Sequence, residues 1–342
     1  MPALWFCLAT VAIVGYVVLD GFDLGAGIVQ LLVARDERDT ADLIKAVGPV
    51  WDGNEVWLVA AAGALFFAFP RLYASAFSGF YLSLMIVLWL LILRGISIEL
   101  RDHVDDPLWR SLWGTVFGVA SGALALVFGV AIGNVVRGVP LDGSGYFFLP
   151  LWTDLSVTGH VGIIDWYTLL IGAASFVALA MHGSLWIVLK TETFMQQRTR
   201  VFAARCWAGS LLLTVLISAA SFWVQPNIFR QFQKAPWGLA FPLLALGGLV
   251  AARTLSGRHM DGRALLGSGT YLTGMLASAA FAIFPNLLPS NGTPDFSLTI
   301  YNAATGRHGL ITGLGWFLPG MALAIAYTFL VYRHFSGKVS QS

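Results

Sequence analysis

The sequence predicts an all-α, polytopic membrane protein of about nine transmembrane helices. Three observations carry that prediction. Of its 342 residues, 57% are hydrophobic and only 11% are charged, against roughly 25% charged in soluble domains. A chain so poor in charge cannot cover itself with polar side chains, so its solvent is lipid. Nine apolar runs approach the roughly 20 residues that cross a bilayer, at about 4–33, 54–70, 77–98, 112–133, 165–189, 203–224, 237–254, 267–288 and 309–332. Finally, Lys and Arg segregate between alternate loops.

Taken in order, the first run follows an N-terminus, MPALWFCLAT, with no basic n-region, and reads as a retained span rather than a cleaved signal. DGFDLGAG (20–27) interrupts it with two acids and three glycines. The second run stops at Pro70, and the third carries Arg94 near its end. On the fourth, Gly114, Gly118 and Gly122 recur every four residues, a stripe that lets another backbone approach closely. The fifth contains His182, Pro226 follows the sixth, and Pro285 and Pro289 mark the end of the eighth. The second and seventh are the shortest.

The chain echoes itself weakly. VVLDGFDLGAGIVQ (17–30) resembles VALAMHGSLWIVLK (177–190) when Asp20-Gly21 is set against His182-Gly183, and Arg94 then falls almost opposite Arg253. A single membrane domain, 1–342, is therefore expected as a four-helix bundle over 1–140, a second over 160–290, and an additional helix over 305–335. Odd-numbered loops and the C-terminus hold 15 Lys and Arg, and even-numbered loops 5. By the positive-inside bias the N-terminus lies outside and the C-terminus in the cytoplasm.

Ionisable groups inside a span are costly and mark function by default. Asp20 stands about 24 Å along the first span at 1.5 Å per residue, in its cytoplasmic half, with Asp23 beside it. Asp52 and Glu55, in WDGNEVWLV (51–59), open the second span on the same side; Arg94 and Glu99 end the third there, and His182 lies in the inner half of the fifth. Carboxylates and imidazole gathered at one depth suit proton uptake from the cytoplasm. Simpler readings stand beside this one. Asp23 and Glu55 fit ordinary interface acids, and Arg94 fits a structural ion pair with Asp20 or Glu99. His182 is the one mid-span histidine, so a bis-histidine haem has no second ligand. A His/Met site through Met85 or Met275 stays open, and so does a hydrogen-bonded structural histidine. Trp51, Trp57, Trp89, Trp113 and Trp152 read as interfacial anchors. No CxxC, CxxCH, phosphate loop, metal-ligand spacing or nucleophile elbow occurs, and nothing points to nucleic acid. Composition and spacing alone reach a nine-span protein with an inward-facing acidic cluster and no redox centre of its own, not a reaction; a secondary transporter with parallel repeats and buried acids and a b-type cytochrome using His182 both stay open.

Three stretches narrow the choice. GYVVLDGFDLGAGIV, GPVWDGNEVWLVAAAGALFFAFPRLYASAFSGFY and GNVVRGVPLD (133–142) resemble subunit II of cytochrome bd-type quinol oxidases, including the cyanide-insensitive ones. ALAMHGSLWIVLKTE and SLTIYNAATGRHGLITGLGWF continue the likeness more loosely, so that it covers essentially the whole chain. The resemblance implies a fold of two four-helix bundles and a peripheral helix, in a bacterial or archaeal cytoplasmic membrane. It implies a complex that oxidises quinol and reduces dioxygen to water, taking protons from the cytoplasm. Two b haems and one d haem belong to the partner, subunit I; no haem or metal is expected in this chain. A small single-span accessory subunit is a further candidate partner, and some relatives hold an isoprenoid quinone here as a structural element. Carried over by position, the family's proton-entry acid falls on Asp52. The DGFD acids fall on Asp20 and Asp23, and Trp57 corresponds to an indole near the subunit contact. Arg94 and Glu99 match polar positions after the third span. Some members carry glutamine in place of His182, which speaks against an obligatory haem ligand. The expected proton path is Asp20, Asp23, Asp52, Glu99 and His182, with Trp57, Arg94 and Glu55 as structural or partner contacts.

Overall fold

The computed structural model describes residues 1–339 of the chain. It is helical almost throughout, and eight helices are long and apolar enough to cross a membrane. The first crossing is one 31-residue span, Pro2–Leu32, built from α1 (Pro2–Leu19) and α2 (Gly21–Leu32). Its hydrogen-bond ladder is interrupted at Asp20, where the Asp23 and Leu24 amides both donate to the Asp20 carbonyl. A short amphipathic helix, α3 (Glu37–Val47), follows, capped by the Asp36 carboxylate on the Asp39 amide.

The second run differs from expectation. α4 (Trp51–Ala68) is followed at once by α5 (Pro70–Gly79), bent 117° away from it. Pro70 ends the straight helix because it offers no amide donor, yet its fixed φ suits the first turn of a new one. What reads as a short loop before the third span is thus a helix, and the ninth crossing is counted only if this bent pair is a single span. The remaining crossings are α6 (Tyr81–Leu100), α7 (Pro107–Arg137), α8 (Trp166–Lys190), α9 (Thr193–Val224), α11 (Ala240–Gly257), α12 (Asp261–Ile283) and α13 (Arg307–His334). Between them, α10 (Asn227–Lys234) lies before α11, and a two-stranded pairing of β1 (Asn286–Leu288) with β2 (Leu298–Thr299) precedes α13. Arg94 lies within α6, not after it.

α8 is the central helix, with 72% of its apolar window buried, and α13 is the peripheral one, with none. α8 packs on α2, α7 and α9, while α11 pairs with α12 and α1 with α4. The two echoing segments meet face to face. Gly25 of α2 and Gly183 of α8 are in backbone contact, and a Cβ on Gly25 would lie 2.0 Å from the Leu179 carbonyl oxygen. Only glycine permits that approach. The α7 stripe serves the same end, since Gly118 faces Gln30 and Leu31 of α2. This packing brings the break at Asp20 into the middle of the helix array, against α4, α6 and α8.

Candidate functional site: a buried acid cluster

An interrupted helix must find partners for the carbonyls that its ladder leaves free. Here two side chains from other helices supply them. Asn54 Nδ2 donates to the Leu19 carbonyl at 3.1 Å, and His182 Nε2 lies 2.9 Å from the Val18 carbonyl oxygen. The break therefore draws α4 and α8 to α1 by hydrogen bonds. It also turns the two carboxylates of DGFD into the interior, where both residues are fully buried.

Those carboxylates surround the fully buried Arg94 of α6. Its two terminal nitrogens bind Asp20 in a bidentate pair: Nη1 reaches Asp20 Oδ2 at 2.9 Å, and Nη2 bonds Asp20 Oδ1. Nη1 also donates to Glu55 Oε1 at 3.0 Å, and Nη2 lies 3.8 Å from Asp23 Oδ2. Asn54 Nδ2 donates to Asp23 Oδ2 at 2.7 Å, and the Tyr332 hydroxyl of α13 donates to Asn54 Oδ1 at 2.8 Å. Three carboxyl groups thus face one guanidinium, in a setting where an uncompensated charge is expensive. Around this cluster Tyr16 Oη, Asp23 Oδ1, Arg94 Nε and Trp57 Nε1 are buried without a hydrogen-bond partner among the described residues.

The expected site residues divide. Asp20, Asp23, Glu55 and Arg94 come together in one network. Glu55, with its side chain 26% exposed, is the member of the cluster that reaches outward. Asp52 lies one helical turn before it, exposed on the first turn of α4. Glu99 is exposed and points away: five residues beyond Arg94 it is turned about 140° around the helix. His182 sits on the other side of the break, with Nδ1 2.7 Å from Ser268 Oγ of α12. Both its ring nitrogens are engaged by the protein, so binding iron there would require breaking one of these contacts. Trp57 is buried and packs on Gly15 of α1, where a Cβ would come 2.3 Å from its ring. Asn54 and Tyr16 lie in the quoted stretches but carry no charge that would flag them, and Tyr332 and Ser268 enter the site with neither charge nor motif.

A second buried network lies at the opposite end of α7. Arg137 pairs with Asp165, donates to Asn134 Oδ1 at 2.7 Å, and donates to the carbonyls of Gly138 and Gly162. Asp165 caps α8 by accepting the amides of Tyr167 and Thr168, both at 2.8 Å. In the loop that follows α7, the Ser144 hydroxyl and the amides of Ser144 and Tyr146 hold the Asp142 carboxyl below the usual carboxylate range. GNVVRGVPLD is thus a folding motif in which Asn134 and Arg137 tie α7 to α8 and Asp142 closes a turn. A cavity of about 440 Å³ between α8, α9 and α11 lies apart from both networks, and Arg200 on its wall is paired with Asp261.

Comparison with known proteins decides the family. The family described as cytochrome bd terminal oxidase subunit II matches residues 1–335. The chain belongs to that family. It is 30% identical to a probable cytochrome oxidase subunit 2 of Haemophilus influenzae, over 98% of this chain and 94% of the relative. It is 28% identical to the cytochrome bd-I ubiquinol oxidase subunit 2 of Escherichia coli K12, over 99% and 95%. With the cytochrome bd ubiquinol oxidase subunit 2 of Bacillus subtilis it shares 32% over 90% and 87%. Its fold matches a chain of the bd oxidase from Geobacillus thermodenitrificans with a TM-score of 0.78 at 17% identity, covering 98% of each. This subunit II is therefore a multi-pass membrane component of a bacterial terminal oxidase, an oxidoreductase complex in which subunit I is its partner. The secondary-transporter reading finds no support in these likenesses.

Proposed function

We propose that this subunit II serves a complex that oxidises quinol and reduces dioxygen to water, and that it delivers protons from the cytoplasm toward subunit I. The observation that carries the proposal is the buried cluster of Asp20, Asp23 and Glu55 around Arg94. With one cation for three carboxyls, a proton shared among the acids relieves the excess negative charge. Glu55 spans the boundary between this interior and the exposed Asp52, so Asp52 is the entry acid and Glu55 the next group inward. Neighbouring partnerless polar atoms suit a hydrated interior, because buried groups of this kind are ordinarily met by water. In this reading the end that carries α3 faces the cytoplasm, the N-terminus lies outside and the C-terminus inside.

The two b haems and one d haem belong to subunit I, and this chain is the non-haem subunit. The commitment of both His182 nitrogens to Val18 and Ser268 supports that assignment. The packing of α1 on α4 and α6 on α7, mirrored by α8 on α9 and α11 on α12, supports two four-helix bundles, 1–140 and 160–290, with α13 outside them. A bound isoprenoid quinone and a single-span accessory subunit are further expectations from the family likeness.

The test uses the purified complex. Asp52→Asn should slow oxygen consumption and proton uptake, followed with a pH-indicator dye, at near-normal haem content. Glu55→Gln should cost more, about tenfold or beyond, as expected for loss of a proton-transferring group. Normal turnover and proton uptake per haem, at a reduced yield of haem, would make these acids structural supports instead. Haem bands from the isolated chain would overturn the non-haem assignment.

A further inference from the structure

The peripheral helix α13 buries little of itself, with Leu310 and Gly313 its only buried residues among those described. Yet its last turns are fastened to the acid cluster with unusual care. The Tyr327 ring packs on Gly53, where a Cβ would come within 2.8 Å, and the Tyr332 hydroxyl bonds the buried Asn54 next to it. The Tyr332 ring meets Phe22 and Trp186 edge-on, at 6.2 and 5.9 Å between centroids. Those two rings are themselves stacked at 4.1 Å, and the Trp186 indole donates to the Ala46 carbonyl of α3. Beyond the helix, the Lys190 ammonium donates to the carbonyls of Phe335 and Gly337 and lies 4.8 Å over Trp186. The Val339 amide returns to the Lys190 carbonyl at 2.9 Å. The tail is strapped to the end of α8, so Tyr332 cannot swing out without breaking several contacts.

The amide of Asn54 has only one satisfactory orientation. Its inner end faces two acceptors, the Asp23 carboxyl and the Leu19 carbonyl. The NH2 group must therefore point inward, and the carbonyl oxygen must face Tyr332, which supplies the proton. Turned over, the amide would still meet the Tyr332 oxygen through its NH2 but would set its own oxygen against both acceptors, losing two hydrogen bonds. We propose that Tyr332 is a positioning residue: by donating to Asn54 Oδ1 it fixes the amide as a donor to Asp23, and so couples the end of α13 to the proton-uptake cluster. The proposal rests on the uptake reading given above.

Tyr332→Phe keeps the ring in its cage and removes only the donor. In the purified complex, turnover with oxygen should fall roughly 2- to 10-fold, the equivalent of about one net hydrogen bond. The KM for quinol and the haem spectrum should be unchanged. The infrared band of the Asp23 carboxyl, assigned by its disappearance in Asp23→Asn, should move in Tyr332→Phe. Adding Asn54→Ala to Tyr332→Phe should give no more loss than Asn54→Ala alone, because both act through one amide. An unmoved band with normal turnover overturns the proposal while leaving the uptake reading intact if Asp23→Asn is impaired. Full turnover and proton uptake in Asp23→Asn overturns the uptake reading and, with it, the role given to Tyr332. Should Tyr332→Phe assemble poorly, 3-fluorotyrosine placed at position 332 changes the donor strength of the hydroxyl with little change in volume. It should shift the same band, and an unshifted band again overturns the proposal.

Discussion

Two buried arginines, Arg94 and Arg137, sit in the same chain in different electrostatic settings. Arg137 faces one carboxylate, and its partners use their polar atoms fully: Asp165 caps α8, and Asn134 Nδ2 donates to the Val130 and Ile163 carbonyls. Arg94 faces three carboxyls, leaves its own Nε without a partner among the described residues, and has Asp23 Oδ1 and Tyr16 Oη in the same condition nearby. A balanced and saturated network has one comfortable charge state and acts as a staple. An unbalanced one with unspent hydrogen-bonding capacity has room for a proton and for water. What separates the two networks is thus charge balance and polar satisfaction, not burial, which they share.

The largest effect should come from breaking the staple. Arg137→Gln leaves Asp165 buried without its cation, and breaking such a pair costs about 3–5 kcal/mol. Recovery of assembled complex from membranes, and its thermal inactivation, should show severe loss with no selective change in proton uptake. If Arg137→Gln assembled normally but lost proton uptake, the contrast between the two networks would collapse.

Asp20→Asn comes next and falls between the two behaviours. It removes the bidentate partner of Arg94 but leaves Asp23 and Glu55 to compensate the charge. Assembly should drop, though less than in Arg137→Gln, and the complexes that form should turn over slowly. Haem content per assembled complex and oxygen consumption per haem separate the two components. Equal loss of assembly in both variants would mean that Asp20 and Arg94 are no more than a second staple.

The spans, the break at DGFD and the gathering of acids at one depth were legible in the sequence because each departs sharply from an apolar background. Asn54 and Tyr332 were not. Neither is charged, a lone Asn or Tyr at a helix end is unremarkable, and their sequence separation of 278 closes only in the folded array. α5 was hidden because Pro70 is equally good at ending one helix and starting the next. The role of GNVVRGVPLD was hidden too, since its Arg137 meets Asp165 across a long loop. Glu99 shows the converse: depth groups it with Arg94, and helical phase turns it away from that cluster.

Glu99→Gln should therefore have the smallest effect, and it tests whether phase or depth is the better guide. Glu99 is exposed on α6, and its backbone carbonyl lies 2.8 Å from His103 Nδ1. Ser97 and Ile98 next to it are buried, as is Arg94, so the inward face of the helix is already occupied. A surface change of this kind ordinarily leaves stability almost untouched. Oxygen consumption and proton uptake should match the unsubstituted complex across the working pH range, while Glu55→Gln on the inward path is impaired. A defect in Glu99→Gln as deep as that of Glu55→Gln would place the proton entry on α6 and break the assignment to α4.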